Sequence, residues 1–287
     1  MTRRVQRGQV LSGRFRLEEA LAEDPLLGVW RAEDLELHRD VAIKVLHPEW
    51  MDDADMVERF RFEALAAARL VHENVASTFD VEQADGALYT ISEFVDGPTV
   101  ARLLEHGPLP AVAVGAIGQQ AAAGLAETHA QGLVHRAICP QNLLIAPDGR
   151  LCIVDFGSVR TLDSTDEDLP DPVFPEPGVS DYWPPERQAG SAGDRRGDVY
   201  SLGLVLWEGL TGTPEVGDAV EPRPVRRLLG GLPGVDDTAS RLRDLLVAAT
   251  AADPDERPTA SELANALVEI CGVRPREELE ELVAGAQ

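Results

Sequence analysis

The stretch His135-Arg136-Ala137-Ile138-Cys139-Pro140-Gln141-Asn142, followed by Asp155-Phe156-Gly157, decides the reading of this chain. On its N-terminal side, Ala111 to Ala130 reads as one long buried helix, rich in Ala and Gly and interrupted by Gln119 and Gln120. On its C-terminal side, Leu143-Leu144-Ile145 and Leu151-Cys152-Ile153-Val154 read as short strands around the turn Pro147-Asp148-Gly149. The segment from His135 to Asn142 is thus a loop between a helix and a hairpin. Ala137 and Asp155 are 18 residues apart. Cys152 reads as a small apolar side chain facing the core.

The composition limits the function classes. The chain has 287 residues, 44% of them hydrophobic and 26% charged, enough for a large core and without the bias of a disordered chain. A formal net charge of −24 argues against nucleic-acid or anionic-membrane partners, which attract basic surfaces. Arg3, Arg4 and Arg7 precede no apolar run, so they read as no secretory signal, and the Ala111–Ala126 run as no membrane span. Cys139, Cys152 and Cys271 show no C-x-x-C spacing, which points to a reducing cytoplasm and to neither zinc nor a disulfide framework. Of the 26 basic residues only Lys44 is a lysine. A chain that otherwise uses arginine for positive charge has kept the compact ammonium at one place, which implies a site that requires it.

Upstream of the loop the pattern is strand-like. Arg14 to Leu17, Gly28 to Ala32 and Asp40 to Leu46 are β-rich and separated by turns, with Gly28 reading as turn punctuation. Asp55 to Leu70 reads as a helix. Ala76 to Glu82 and Ala87 to Phe94 read as a hairpin closed at Asp85-Gly86.

The loop and turn resemble the H-R-D-L-K-P-x-N and D-F-G motifs of eukaryotic-type (Hanks-type) serine/threonine protein kinases, and the Arg-rich, Lys-poor style is similar to the bacterial branch of that family. Val41-Ala42-Ile43-Lys44 resembles the V-A-I-K strand. Gly178-Val179-Ser180-Asp181-Tyr182-Trp183-Pro184-Pro185-Glu186 resembles the end of the activation segment. The resemblance covers about residues 13 to 271. It implies an α+β, two-lobed kinase-like fold: a small antiparallel sheet with one helix over 13–95 and a larger, mainly helical lobe over 96–272, with 273–287 as a short tail and a last helix over Pro275 to Val283.

The resemblance also implies roles. Lys44 would pair nucleotide phosphates and Glu63; Val29, Ala42 and Leu144 would enclose adenine; Ser92 would be the gatekeeper, and Glu93 and Val95 hinge residues offering backbone hydrogen bonds. Asn142 and Asp155 would hold Mg2+, so that ATP and magnesium are the implied cofactors. Asp198 would tie down the loop backbone, and Arg257 would pair with Glu186. The departures are as informative. Ala137 replaces the proton-accepting Asp, Cys139 the Lys that touches the transferred phosphate, and Val179 the Thr that hydrogen-bonds both. Ala22, Asp24 and Leu27 stand where three glycines would let backbone amides approach phosphate. Glu23, Asp24 and Pro25 there would block and repel it.

Val159 to Pro185 would be the activation segment, whose Asp163, Asp166, Glu167, Asp168 and Asp171 would be a solvated acidic loop or would dock on Arg136 in place of a phosphate. The reading is a pseudokinase that binds ATP with magnesium and serves as a switch or scaffold among other signalling proteins, with no catalytic residue intact at the degenerate positions Ala137, Cys139 and Val179. The alternatives are a weakly active serine/threonine kinase and an interaction module that binds no nucleotide.

Overall fold

The computed structural model describes residues 4–161, 178–191, 193–213, 237–272 and 274–285. The acidic stretch Asp163 to Asp171, with Pro170, Pro172, Pro175 and Pro177, lies outside the described residues. Two compact units are present: one takes residues 4–71 and 76–94, the other residues 72–75, 95–161 and the described residues from 178 onward.

The first unit is a six-stranded antiparallel sheet with one helix. Its strands are β1 (Val10–Leu11), β2 (Phe15–Glu23), β3 (Leu27–Asp34), β4 (Arg39–Leu46), β5 (Thr78–Ala84) and β6 (Ala87–Glu93), in the order β1-β2-β3-β4-β6-β5. Period-two alternation sorts β4: Val41, Ile43 and Val45 are buried, while Ala42 and Lys44 are half-buried on the other face. The buried set joins Leu11, Phe15, Leu17, Ala32, Tyr89 and Ile91 in one core. The sheet curls around that core until its first and last strands meet. Ser12, just after β1, donates its N–H to Asp85 Oδ2 at 3.0 Å and its hydroxyl to Glu82 Oε2 at 2.7 Å. The buried Tyr89 hydroxyl joins both, 2.6 Å from Ser12 and 2.8 Å from Glu82. The expected β5–β6 turn is present, with Asp85 and Gly86 both at positive φ, 54° and 77°.

On the opposite face lies α1 (Ala54–Ala67), shorter at its end than the sequence pattern suggests. Asp53 caps it, accepting from the N–H groups of Asp55 and Met56 at 3.1 Å. Phe60 packs with Leu46 and Leu88, and the half-buried Leu26, Trp50, Met51 and Val57 join them. Gly28 stands inside β3, opposite Glu23, rather than in the turn.

The second unit is mainly helical: α2 (Val100–Leu104), α3 (Ala111–Ala130), α4 (Pro185–Gln188), α5 (Arg195–Thr211), α6 (Asp237–Ala249), α7 (Ala260–Cys271) and α8 (Pro275–Gly285). The central α3 is buried on most sides, as its small residues imply. At Gly118 a Cβ would lie 2.6 Å from Leu206 Cδ1 of α5 and 2.9 Å from Leu267 Cδ1 of α7, so any larger residue would displace two leucine side chains where the three helices approach. The helix α5 ends on Gly212 in the left-handed conformation, φ 70°. The helix α8 buries Leu279 and Val283, and Arg276 bonds to Glu73 at 2.5 Å. Asn74 of the short inserted segment 72–75 donates to Gln120 and to Leu151 O, both at 2.8 Å.

Four short strands frame the decisive loop. Strands β7 (Leu133–Val134) and β10 (Arg160–Thr161) pair antiparallel, as do β8 (Leu143–Ile145) and β9 (Leu151–Ile153). The loop 135–142 therefore leaves one ribbon and enters the other, and Asp155-Phe156-Gly157 returns between the same two.

Candidate active site

Four expected site residues, Val29, Ala42, Lys44 and Ser92, share one face of the sheet. Val29 lies directly opposite Lys44, and Ala42 opposite Ser92; Thr90 stands across from Lys44 on the third strand. Residues opposite one another on paired strands project to the same side. This face is the one turned away from the closed core. The Ser92 hydroxyl donates to Ala42 O at 3.3 Å. Glu63 lies on α1, where its Oε1 accepts from Arg59 Nε at 2.9 Å. Of the hinge residues, Glu93 donates its N–H to Ser77 O at 2.8 Å, and the carbonyl of the buried Val95 accepts from Gly97 at 3.1 Å. Leu144 is half-buried and bridges Thr99.

In the second unit the loop is held from below by Asp198, in the first turn of α5. Its Oδ2 accepts from the His135 N–H at 2.9 Å and its Oδ1 from the Arg136 N–H at 2.7 Å. His129 at the end of α3 donates Nε2 to Oδ2 at 2.9 Å. Burial pushes the Asp198 carboxyl up, but the hydrogen bond and charge of His129 and the Arg136 N–H together outweigh it, and the group stays below its ordinary value. Arg136 takes φ 67°, a left-handed backbone that costs free energy in a non-glycine residue and is fixed here by its bonds on both sides. Its carbonyl accepts from Arg187 Nη1, whose guanidinium stacks 3.7 Å over the Trp183 ring.

The His135 ring is fully buried, and burial lowers its pKa although Asp198 and Asp155 oppose the shift. Its Nε2 lies 3.2 Å from Val154 O and its Nδ1 accepts from the Ala137 N–H at 3.2 Å, the pattern of a neutral ring. Phe156 packs edge-on against it, centroids 4.6 Å apart. Asn142 is buried and donates Nδ2 to Ala137 O at 2.9 Å. Asp155, at φ 61°, accepts from the Gly157 N–H at 3.1 Å. Both offer oxygen donors, the type that Mg2+ takes. No group of three His, Cys, Asp or Glu able to hold a metal stands among the described residues.

The three departures are apolar and shielded. Ala137, Cys139 and Val179 are 4%, 0% and 7% exposed. Below them Tyr182 donates to Glu208 Oε2 at 2.5 Å, and burial raises the pKa of both groups. Arg257 is fully buried and spends five donors: Nη1 and Nη2 go to Glu186 at 2.7 and 2.8 Å, and the rest reach the carbonyls of Ala251, Ala252 and Arg196.

The turn between β2 and β3 was expected to repel phosphate, and its bonding goes further. Asp24 Oδ1 accepts from the N–H groups of Leu26 at 2.6 Å and Leu27 at 2.8 Å. The partners of the turn's carbonyls, His47 and Trp50, are further residues that the sequence reading did not single out. The one available signal was the Asp-Pro dipeptide, which favours turn initiation. For His129 there was none.

A sheet with its Lys44 face, a loop tied to the helix behind it, and a carboxylate turn between two ribbons are the elements of the protein kinase fold. The protein kinase domain model matches residues 28–267, and the chain belongs to that family, in its bacterial Hanks-type serine/threonine branch. It is 33% identical over 262 residues to the serine/threonine-protein kinase PknL of Mycobacterium tuberculosis, covering 89% of this chain and 65% of that one. With PrkC of Bacillus subtilis the identity is 31%, over 89% of this chain and 40% of the relative. The chain therefore spans less than two thirds of the length of these relatives. The crystal structure of the PknI kinase domain of M. tuberculosis superposes with a TM-score of 0.71 at 28% identity, covering 94% of this chain and all of the other. Among the described residues no helix is long and apolar enough to cross a membrane.

Proposed function

We propose that this chain is a nucleotide-binding pseudokinase domain, acting in the cytoplasm as a switch or scaffold toward other signalling proteins. The observation that carries the reading is the buried apolar set Ala137, Cys139 and Val179 where a base, a cation and their hydrogen-bonding partner would act. ATP with magnesium would supply the transferable phosphoryl group. Lys44 would bind its phosphates and orient on Glu63; Asn142 and Asp155 would hold the metal; Val29, Ala42 and Leu144 would enclose the base, with Glu93 and Val95 offering backbone groups. Without an acceptor at residue 137 no side chain there takes the substrate proton, a loss of about 10²–10⁴ in rate.

A second reading is a working serine/threonine kinase. The relatives are named as such kinases, and the chain keeps Lys44, Asn142 and Asp155; positioning and charge carry much of phosphoryl transfer. Melting with and without Mg-ATP, beside Lys44→Ala and Asp155→Ala, tests the nucleotide site: saturating ligand at about a hundredfold its Kd adds about 2.7 kcal/mol of stability, which both substitutions abolish. Labelled-ATP autophosphorylation then separates the two readings. A signal that vanishes in Lys44→Ala establishes the kinase; equal background in both supports the pseudokinase.

A further inference from the structure

Around the turn between β2 and β3, every backbone polar group from Asp24 to Leu27 has a partner within the first unit. The Asp24 N–H donates to Leu27 O at 3.0 Å, Pro25 has no N–H, and the Leu26 and Leu27 N–H groups both go to Asp24 Oδ1. The carbonyls are engaged too. His47 Nε2 donates to Asp24 O at 3.0 Å, Trp50 Nε1 to Pro25 O at 3.1 Å, and the His47 N–H to Leu26 O at 3.0 Å. Arg4 adds a strut, bonded to Glu23 at 3.0 Å and to Glu49 at 3.1 Å. Leu26 packs into the apolar cluster beside α1. A carboxylate that takes two successive backbone N–H groups occupies them as a phosphate oxygen would, since both are anions that seek such amides.

We propose that Asp24 is a built-in anion of this turn. Its carboxylate takes the amides that a nucleotide phosphate would otherwise take, and His47 and Trp50 hold the turn in that state. The inference rests on the nucleotide-binding reading and sharpens it: the ligand is an adenine nucleotide gripped by its base, by Lys44 and by metal, with its phosphates uncradled by the turn. Asp24 is then a specificity-determining residue that weakens preference for phosphates.

The test is calorimetric titration of the whole chain with adenosine and with Mg-ATP, for the native protein, Asp24→Ala and Asp24→Asn. Asp24→Ala frees the two amides and removes a repelling charge, so Mg-ATP binds about tenfold tighter while adenosine is unchanged, a tenfold gain corresponding to about 1.4 kcal/mol. Asp24→Asn keeps an acceptor oxygen on the amides and gains less. Equal affinities of native protein and Asp24→Ala for Mg-ATP, with adenosine bound by both, would overturn the inference and leave the nucleotide site standing. Hydrogen exchange of the Leu26 and Leu27 amides gives a readout that needs no ligand. Protection in the native protein, unaltered by Mg-ATP and lost in Asp24→Ala, upholds the self-occupied turn even where no adenine ligand binds and the nucleotide reading falls. Free exchange of both amides in the native protein overturns it.

Discussion

Asp198 and Asp24 each accept two successive backbone N–H groups and thereby hold a loop, one under His135 and Arg136, the other at the tip of the first hairpin. Asp198 comes from 62 residues away in sequence and is 1% exposed. Asp24 serves its own turn and is half-buried. Chemistry shared by two loops therefore carries different weight. The buried one fixes a loop from a helix far along the chain, and the surface one closes only its own turn.

The sharpest way to break this comparison is Asp198→Ala. It leaves two buried N–H groups and His129 without their acceptor, and removing one member of a buried charged cluster costs about 3–5 kcal/mol. Urea unfolding should show it, with Asp198→Asn, which retains an acceptor, losing less. A cost below 1 kcal/mol, of the order expected for a surface site, would erase the distinction. Arg257→Lys comes next. A lysine has three donors for the five acceptors now used, and the groups left unsatisfied cost about 1–3 kcal/mol, again read by urea unfolding.

Acid titration sharpens the same contrast in sign. The Asp34 carboxyl is held at about 2, chiefly by hydrogen bonds from Arg14 at 2.8 and 2.6 Å, against the upward push of burial. A depressed folded value means stability that is present above the ordinary carboxylate value of about 3.9 and is lost as pH falls through the folded one. Stability should therefore decline between about pH 4 and 2, and Asp34→Asn should flatten that decline. Asp198 acts in the same direction. Glu208 acts oppositely: burial raises it, so the stability tied to its protonated form is present at low pH and lost as pH rises through the raised value. The smallest effect is Asp24→Ala on stability, about 0.5–1.5 kcal/mol for a local hydrogen-bonded turn, measured as a modest drop in Tm.

The fold was legible because its carriers are short-range patterns. Alternation in Asp40 to Leu46, the Asp85-Gly86 turn and the small-residue run of α3 each declare an element locally. The anchors Asp198 and the Arg257–Glu186 pair were legible only through resemblance, since their partners lie 62 and 71 residues away. His129 on Asp198 and the clasp of His47 and Trp50 on the hairpin escaped for the same physical reason. A ring that hydrogen-bonds a distant carboxylate or backbone carbonyl leaves no periodicity in the sequence. Ala137 was readable as a letter, but its shielding, with Cys139 and Val179, is a property of packing.

The latch of Ser12 on Glu82, Asp85 and Tyr89 has a consequence beyond the kinase question. An open sheet offers its outer strands as templates for neighbouring chains, and proteins blunt that hazard with very short outer strands or by covering them. Here one border strand is only two residues long, and the loop behind it is tied across to the other border. The curl thus guards against edge-to-edge aggregation, and Ser12→Ala should raise light scattering on heating before it lowers ligand binding.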